Sequence, residues 1–154
     1  MQGGRVHQVA SPLEVYGKPA TLFVGTFVGT MNVIENVEVA GDGRLALGNT
    51  KQALPQLACA RVTLCVRPED VIVGAPAAHT ADAITFEARV MKVTYAGREA
   101  FYRLDADGLR LLVHAYRPEP DRLPVVGQTL QLAMPLSRLH AFDAADGRRI
   151  ALRP

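Results

Sequence analysis

The strongest indication of the fold of this chain is VTYAGREAFYRLDADGLRLLVHA, residues 93–115. Apolar and polar residues alternate along three segments, which are separated by AGR at 96–98 and by Asp107 and Gly108. Alternation with a period of two is typical of strands with one buried face, and Asp-Gly favours a tight hairpin turn. The stretch therefore predicts three consecutive antiparallel strands joined by two hairpins.

Hairpin signals of the same kind occur on both sides of this stretch. VIENVEV and RLALG flank Asp42 and Gly43, and AFDAADGRRIALRP turns at Asp146 and Gly147. Within residues 84–95 the apolar positions change parity by one, which predicts a bulge or a barrel corner. Four hairpins at this spacing predict an all-β barrel or sandwich of short antiparallel strands, and small barrels of this kind resemble the OB-fold.

The first 29 residues follow a different pattern. Ser11, Pro12 and Glu14 form a helix start, with a hydroxyl cap, a proline in the first turn and a glutamate that reaches back to the cap. Residues 22–27 carry apolar side chains at three-and-four spacing, which indicates a second short helix. The sequence thus predicts a helical segment over 1–29 and a β domain over 30–154, with a seam between two β subunits at 74–83.

Composition limits the classes of function. The chain has 154 residues, of which 49% are hydrophobic, so a folded domain is expected. Its net charge of +2 comes from scattered residues, which argues against nucleic-acid binding. Cys59 and Cys65 lie too far apart on one strand for a disulfide, and buried thiols are expected. No apolar run reaches the ~18 residues of a membrane span, so we expect a soluble, unexported chain.

The segment LCVRPEDVIVG, residues 64–74, is the best candidate for a site. Alternation places Arg67 on a polar face opposite a core face, and Pro68 ends the strand. Glu69 and Asp70 are adjacent in sequence, whereas carboxylates that share catalysis usually face each other from different elements. We therefore predict a turn with a surface contact between arginine and carboxylate, and a subunit interface as the alternative.

The remaining polar residues give no pattern of catalysis or metal binding. The four histidines His7, His79, His114 and His140 lack the spacing of a zinc site, and His114 is expected to be solvated or at an interface. GTFVGT at 25–30 lacks the lysine of a phosphate loop. No catalytic, cofactor-binding or metal-binding residue is assigned.

Three segments, taken in order, resemble one family. They are GRVHQVASPLEVYGKPATLFVGTFVGTMN at 4–32, VRPE at 66–69 and FDAADGRR at 142–149. They are similar to the ATP-binding subunits of ABC importers of the maltose, polyamine, ferric-ion and phosphonate type, in the C-terminal regulatory TOBE domain, which is OB-like and related to MOP modules. Arg67 and Glu69 occupy positions of the family's Val-Arg-Pro-Glu motif, and Phe142 and Asp143 occupy positions of its closing motif.

The resemblance implies a role. Residues 1–29 would be the last strand and short helices of a nucleotide-binding domain, and 30–154 would be the regulatory barrel. ATP and Mg belong to the missing upstream domain, so this fragment is expected to hold no cofactor and to hydrolyse no ATP. A homodimer is implied, as are contacts to the upstream domain and, through it, to membrane permease subunits, at the cytoplasmic face of the membrane. The implied solutes are polyamine, iron, phosphonate or sugar. The alternative is a free-standing barrel that binds an oxyanion.

Overall fold

The structure, a computed structural model, describes residues 3–40, 44–47, 50–53, 59–74 and 82–152. Two short helices precede eleven strands within these residues. The helices are α1 (Pro12–Gly17) and α2 (Leu22–Phe27). The strands are β1 (Asn32–Glu38), β2 (Arg44–Leu47), β3 (Thr50–Ala53), β4 (Arg61–Val66), β5 (Ile72–Val73), β6 (Ala83–Tyr95), β7 (Glu99–Ala106), β8 (Leu109–Tyr116), β9 (Thr129–Pro135), β10 (His140–Asp143) and β11 (Arg149–Ile150). The all-β prediction is confirmed, with antiparallel sheets and a short helical segment before them.

The first helix begins at the predicted residues, and the second lies in the predicted segment. The Ser11 hydroxyl and the Glu14 side chain form a reciprocal capping box, in which the Ser11 backbone nitrogen donates to Glu14 Oε2 at 3.0 Å. Thr21 caps α2 by accepting a hydrogen bond from the Val24 nitrogen at 3.3 Å. These caps satisfy backbone donors that a helix of six residues would otherwise leave open.

The chain divides into two compact units. The first unit lies within Met1–Leu45, Ala53–Cys65 and His140–Pro154, and the second within Ala46–Gln52 and Val66–Leu139. Residues 75–81 of the seam predicted at 74–83 lie outside the described residues, as does the turn predicted at Asp42 and Gly43.

The second unit is built on a five-stranded antiparallel sheet with the order β5-β9-β6-β7-β8. The two hairpins of the opening stretch are present, with Tyr95 opposite Ala100 and Ala106 opposite Leu109. Asp107 and Gly108 both have positive φ, 52° and 88°, as a tight hairpin turn of the mirror-image type requires. A register shift in β6 between Val90 and Lys92 confirms the predicted bulge.

The first unit contains a four-stranded sheet with the order β1-β4-β10-β11. The turn predicted at Asp146 and Gly147 joins β10 to β11, with Phe142 opposite Arg149. For the first predicted hairpin, the described residues show one isolated bridge, from Val39, which follows β1, to Leu45 in β2, and β2 also pairs with β3.

Each unit has its own apolar core, and one face of most strands is buried. Fully or nearly fully buried side chains in the second unit are Ile84, Phe86, Val90, Leu104, Leu111, Val113, Leu132 and Met134. Those in the first unit are Val24, Ile34, Val37, Val62, Leu64, Ala141 and Phe142. Removal of this apolar surface from water is the main stabilisation of a fold of this size.

Candidate functional site

The predicted corner lies where the chain leaves β4. Pro68–Asp70 forms a single 3₁₀ turn, in which the Asp70 nitrogen donates to the Arg67 carbonyl oxygen at 3.0 Å. The Asp70 carboxylate lies 3.7 Å from Arg138 Nε. The arginine that faces this carboxylate at the surface is therefore Arg138, whose side chain is 66% exposed.

The exposure predicted for Arg67 was wrong, because the residue is only 1% exposed. The alternation rule assumes that one face of a strand is solvated, and β4 does not satisfy it. This strand is an interior member of its sheet, and Thr63 and Cys65 on the supposedly polar face are 5% and 0% exposed. A strand that is covered on both faces carries no parity signal. The interface role predicted for Arg67 and Glu69 stays a prediction.

Burial also affects the acid beside Arg67. It raises the pKa of the Asp70 carboxyl above its ordinary value, and the guanidinium of Arg138 offsets part of that effect. Glu69 contributes in the same direction as burial, and Arg67 in the opposite one. At this corner the Asp70 carboxylate is thus partly buried and lies near the charges of Arg138 and Arg67.

The closing motif forms a tight turn in the first unit. Phe142 is fully buried in β10, and the Asp143 carboxylate accepts a hydrogen bond from the Ala145 nitrogen at 2.7 Å. The Gly147 nitrogen donates to the Asp143 carbonyl oxygen at 2.9 Å, and the Gly147 carbonyl oxygen accepts from the Leu22 nitrogen at 3.0 Å. Asp143 therefore holds the turn, and the turn holds the start of α2.

The four predicted positions do not form one site. Arg67 and Glu69 belong to the second unit, whereas Phe142 and Asp143 belong to the first. The two residues of each pair also differ in burial. Arg67 is buried and Glu69 is exposed, whereas Phe142 is buried and Asp143 is half-buried.

His114 is half-buried on β8 in a small aromatic arrangement. Its ring stacks on Phe101 with the centroids 4.6 Å apart and an interplanar angle of 10°. Its Nε2 lies 3.6 Å from Glu99 Oε2 across the hairpin. The position matches the face predicted for it, opposite Leu111 and Val113. His79 lies outside the described residues.

Among the described residues, neither the cysteines nor the other potential metal ligands form a metal-binding cluster. Cys65 is buried and Cys59 is half-buried, and both are free thiols. Burial, followed by the nearby Asp143 carboxylate, raises the pKa of the Cys59 thiol, which favours its protonated form. Within the described part of the chain, no three histidine, cysteine or acidic side chains come together as metal ligands. No helix in that part is long and apolar enough to span a membrane.

An exposed apolar patch was not predicted from the sequence. Met91, Val125 and Val126 are 56%, 67% and 66% exposed. Two backbone hydrogen bonds bring these residues to one region. The Val90 nitrogen donates to the Gln128 carbonyl oxygen at 2.8 Å, and the Gly127 nitrogen donates to the Val90 carbonyl oxygen at 2.8 Å. We call Met91, Val125 and Val126 the bulge patch. Its signal in the sequence is the pair of valines in the polar, proline-rich segment RPEPDRLPVVGQ.

Comparison with known proteins decides the family. The sequence profile of the TOBE domain matches residues 64–142, more than half of the chain. The chain belongs to the TOBE domain family. The match begins in β4 and ends in β10, so it includes the whole five-stranded sheet together with Arg67, Glu69 and Phe142, and it stops one residue before Asp143.

Curated relatives extend the match over almost the whole chain. The sn-glycerol-3-phosphate import ATP-binding proteins of Rhodopseudomonas palustris (strain BisA53) and Cereibacter sphaeroides are 34% and 35% identical to it, each over 97% of this chain. The protein of that name from Escherichia coli O157:H7 is 31% identical over 97% of this chain. The chain spans 41–42% of the length of these three relatives. The resemblance to ATP-binding subunits of ABC importers is thereby confirmed.

Proposed function

We propose that this chain is the regulatory and dimerisation region of the ATP-binding subunit of an ABC importer and is not catalytic by itself. The observation that carries the proposal is the TOBE profile match at 64–142, together with relatives named as import ATP-binding proteins that align with 97% of the chain. Because the chain spans only about two fifths of those relatives, ATP and Mg would be bound by a part of the subunit outside this sequence.

The N-terminal segment supports attachment to another domain. Val9, Leu13 and Phe27 are 90%, 82% and 73% exposed, although α1 and α2 are well capped. Well-formed helices with exposed apolar side chains are typical of a surface that packs against a further element. We propose that this element is the nucleotide-binding domain and that the boundary lies near residue 29.

The bulge patch supports self-association in the second unit. A homodimer would bury Met91, Val125 and Val126, and an aspartate in this patch would have to lose its hydration in the interface. In sedimentation equilibrium, Val126→Asp is expected to raise the dimer dissociation constant at least tenfold. Val6→Asp changes a valine of 58% exposure in the other unit and is expected to leave that constant unchanged. Equal constants for wild type and Val126→Asp would exclude the bulge patch as the dimer contact.

Two observations test the non-catalytic assignment. The purified chain is expected to release no phosphate from ATP in the presence of Mg, and the reading frame upstream is expected to encode a GxxxxGK[ST] phosphate loop. Phosphate release above the background of a heat-denatured sample, or an upstream frame without that loop, would contradict the proposal.

The solute is the finer part of the proposal. The relatives compared above are named for sn-glycerol 3-phosphate, which favours this solute over the polyamine, iron, phosphonate or sugar suggested by the resemblance. Through its permease partners the subunit would lie at the cytoplasmic face of the membrane. Loss of sn-glycerol 3-phosphate uptake on deletion of the gene, and its recovery on complementation, would support the assignment. Unchanged uptake would contradict it.

A further inference from the structure

The second unit contains a cleft with a volume of about 550 Å³. A cleft of this size can hold a small organic molecule, since ligand sites commonly measure ~300–1,000 Å³. Its walls are formed by β5, β8, β9 and the loop before β9, and its main apolar lining residues are Val73, Val113, Leu123, Pro124 and Leu130.

Tyr102 from β7 also lines this cleft, and no described residue forms a hydrogen bond with its hydroxyl. The residue is only 4% exposed. Burial raises the pKa of its hydroxyl above the ordinary value. The hydroxyl of a largely buried tyrosine usually has a hydrogen-bond partner, and a hydroxyl that faces a cleft can bond to water or to a ligand there. A polar group of a ligand in the cleft can take the place of that water.

The rim of the cleft is slightly acidic. Glu119, Asp121 and Arg122 line it. Arg122 Nε lies 2.9 Å from Glu119 Oε2, so these two charges neutralise each other. No basic side chain in the described ranges forms an ion pair with Asp121. The rim therefore carries one uncompensated negative charge, which favours a cationic group and disfavours an oxyanion.

We propose that this cleft binds a small cationic amphiphile: an amine whose ammonium group lies at Asp121, whose apolar body lies against the valine and leucine side chains, and whose second polar group bonds the Tyr102 hydroxyl. This inference is independent of the proposed function, because it concerns a site within one unit of the isolated chain. Three molecules of nearly equal size separate the contacts. They are tyramine, phenethylamine, which lacks the phenol hydroxyl, and 3-(4-hydroxyphenyl)propionate, which replaces the ammonium with a carboxylate.

The experiment is a titration followed by ¹H–¹⁵N correlation spectra of the whole chain. Millimolar tyramine is expected to shift amides of the cleft strands and of the 118–124 loop. Phenethylamine is expected to bind roughly fivefold more weakly, as the loss of one hydrogen bond implies. The propionate is expected to bind at least tenfold more weakly than tyramine.

Variants assign the contacts. Tyr102→Phe removes only the hydroxyl, and tyramine and phenethylamine are then expected to bind equally well. Asp121→Asn is expected to weaken both amines several-fold. Tyr95→Phe, a tyrosine of 50% exposure outside the lining, serves as the control and is expected to change nothing. An unchanged spectrum of the remaining amides confirms that each variant is folded.

Three results would overturn the inference. The first is the absence of cleft shifts with tyramine, and the second is tighter binding of the propionate than of the amines. The third is a fivefold preference for tyramine that persists in Tyr102→Phe, which would place the hydroxyl contact elsewhere.

Discussion

Because Arg67 is buried, Arg67→Ala is expected to destabilise the fold. The sequence alone places Arg67 at the surface and therefore predicts little loss of stability. The side chain is 1% exposed, so Arg67→Ala removes two methylenes from the interior, at about 0.8 kcal/mol each. It also removes the guanidinium near Asp70, a loss of about 1 kcal/mol, because that carboxylate is 23% exposed and regains water when it loses its neighbour. Together, Arg67→Ala is expected to lower the free energy of unfolding by about 2.5 kcal/mol, a large fraction of the 5–15 kcal/mol of an ordinary domain.

Urea unfolding followed by circular dichroism measures this loss, and sedimentation equilibrium of the folded variant measures any change in dimerisation. Glu69→Ala changes an exposed neighbour in the same turn and is expected to cost less than about 0.5 kcal/mol. Arg67→Met keeps most of the buried volume and is expected to cost about 1 kcal/mol. The reasoning fails if Arg67→Ala unfolds at the wild-type urea concentration while its dimer dissociates more readily, since Arg67 would then act on a partner.

Three further changes test the turns, the corner and the core. Gly108→Ala places a side chain at φ 88° and is expected to lower the free energy of unfolding by about 1 kcal/mol, measured by thermal or urea unfolding. The control Gly17→Ala has no positive φ and no neighbour within 4 Å of the added carbon, so it is expected to be nearly neutral. Equal costs for the two variants would contradict the turn assignment. The pKa of the Asp70 carboxyl is higher in the folded state than in the unfolded state. The stability that this difference contributes is fully present below the unfolded-state pKa of about 3.9, and it is lost as the pH rises through the folded-state pKa. Asp70→Asn is therefore expected to gain stability relative to wild type between pH 3 and 7, and a difference independent of pH would show that burial does not control this group. Phe142→Ala leaves a cavity at a fully buried site and is expected to lower the free energy of unfolding by about 3–5 kcal/mol. The control Phe27→Ala changes a side chain of 73% exposure and is expected to lower it by less than about 0.5 kcal/mol. Similar unfolding midpoints for the two variants would refute the core assignment.

Local signals predicted the parts of the fold in which neighbouring residues determine the outcome. Asp107 and Gly108 specify a turn by their backbone preferences alone, and the parity change around Met91 specifies a bulge. The capping box of Ser11 and Glu14 is equally local, because its two partners are three residues apart. None of these features depends on which strands become neighbours in the sheet.

Features that depend on distant strands were not predictable in the same way. β4 lies between β1 and β10, and β10 begins more than seventy residues after β4 ends. Nothing near Arg67 in the sequence reveals that both faces of the preceding strand β4 are buried, so the alternation rule assigned Arg67 to solvent.

Tyr102 shows the same limit in the opposite direction. It lies on the buried face of β7 together with Leu104, and it pairs with Val113 across the hairpin. Whether its hydroxyl finds a partner depends on β5, β9 and the 118–124 loop, which approach from other parts of the chain. Whether a polar group of a largely buried residue faces a cleft is therefore visible only in three dimensions. Tyr102 lines a cleft large enough for a small molecule, so this cleft is a better place to look for a ligand than the arginine and acids of the 66–70 corner.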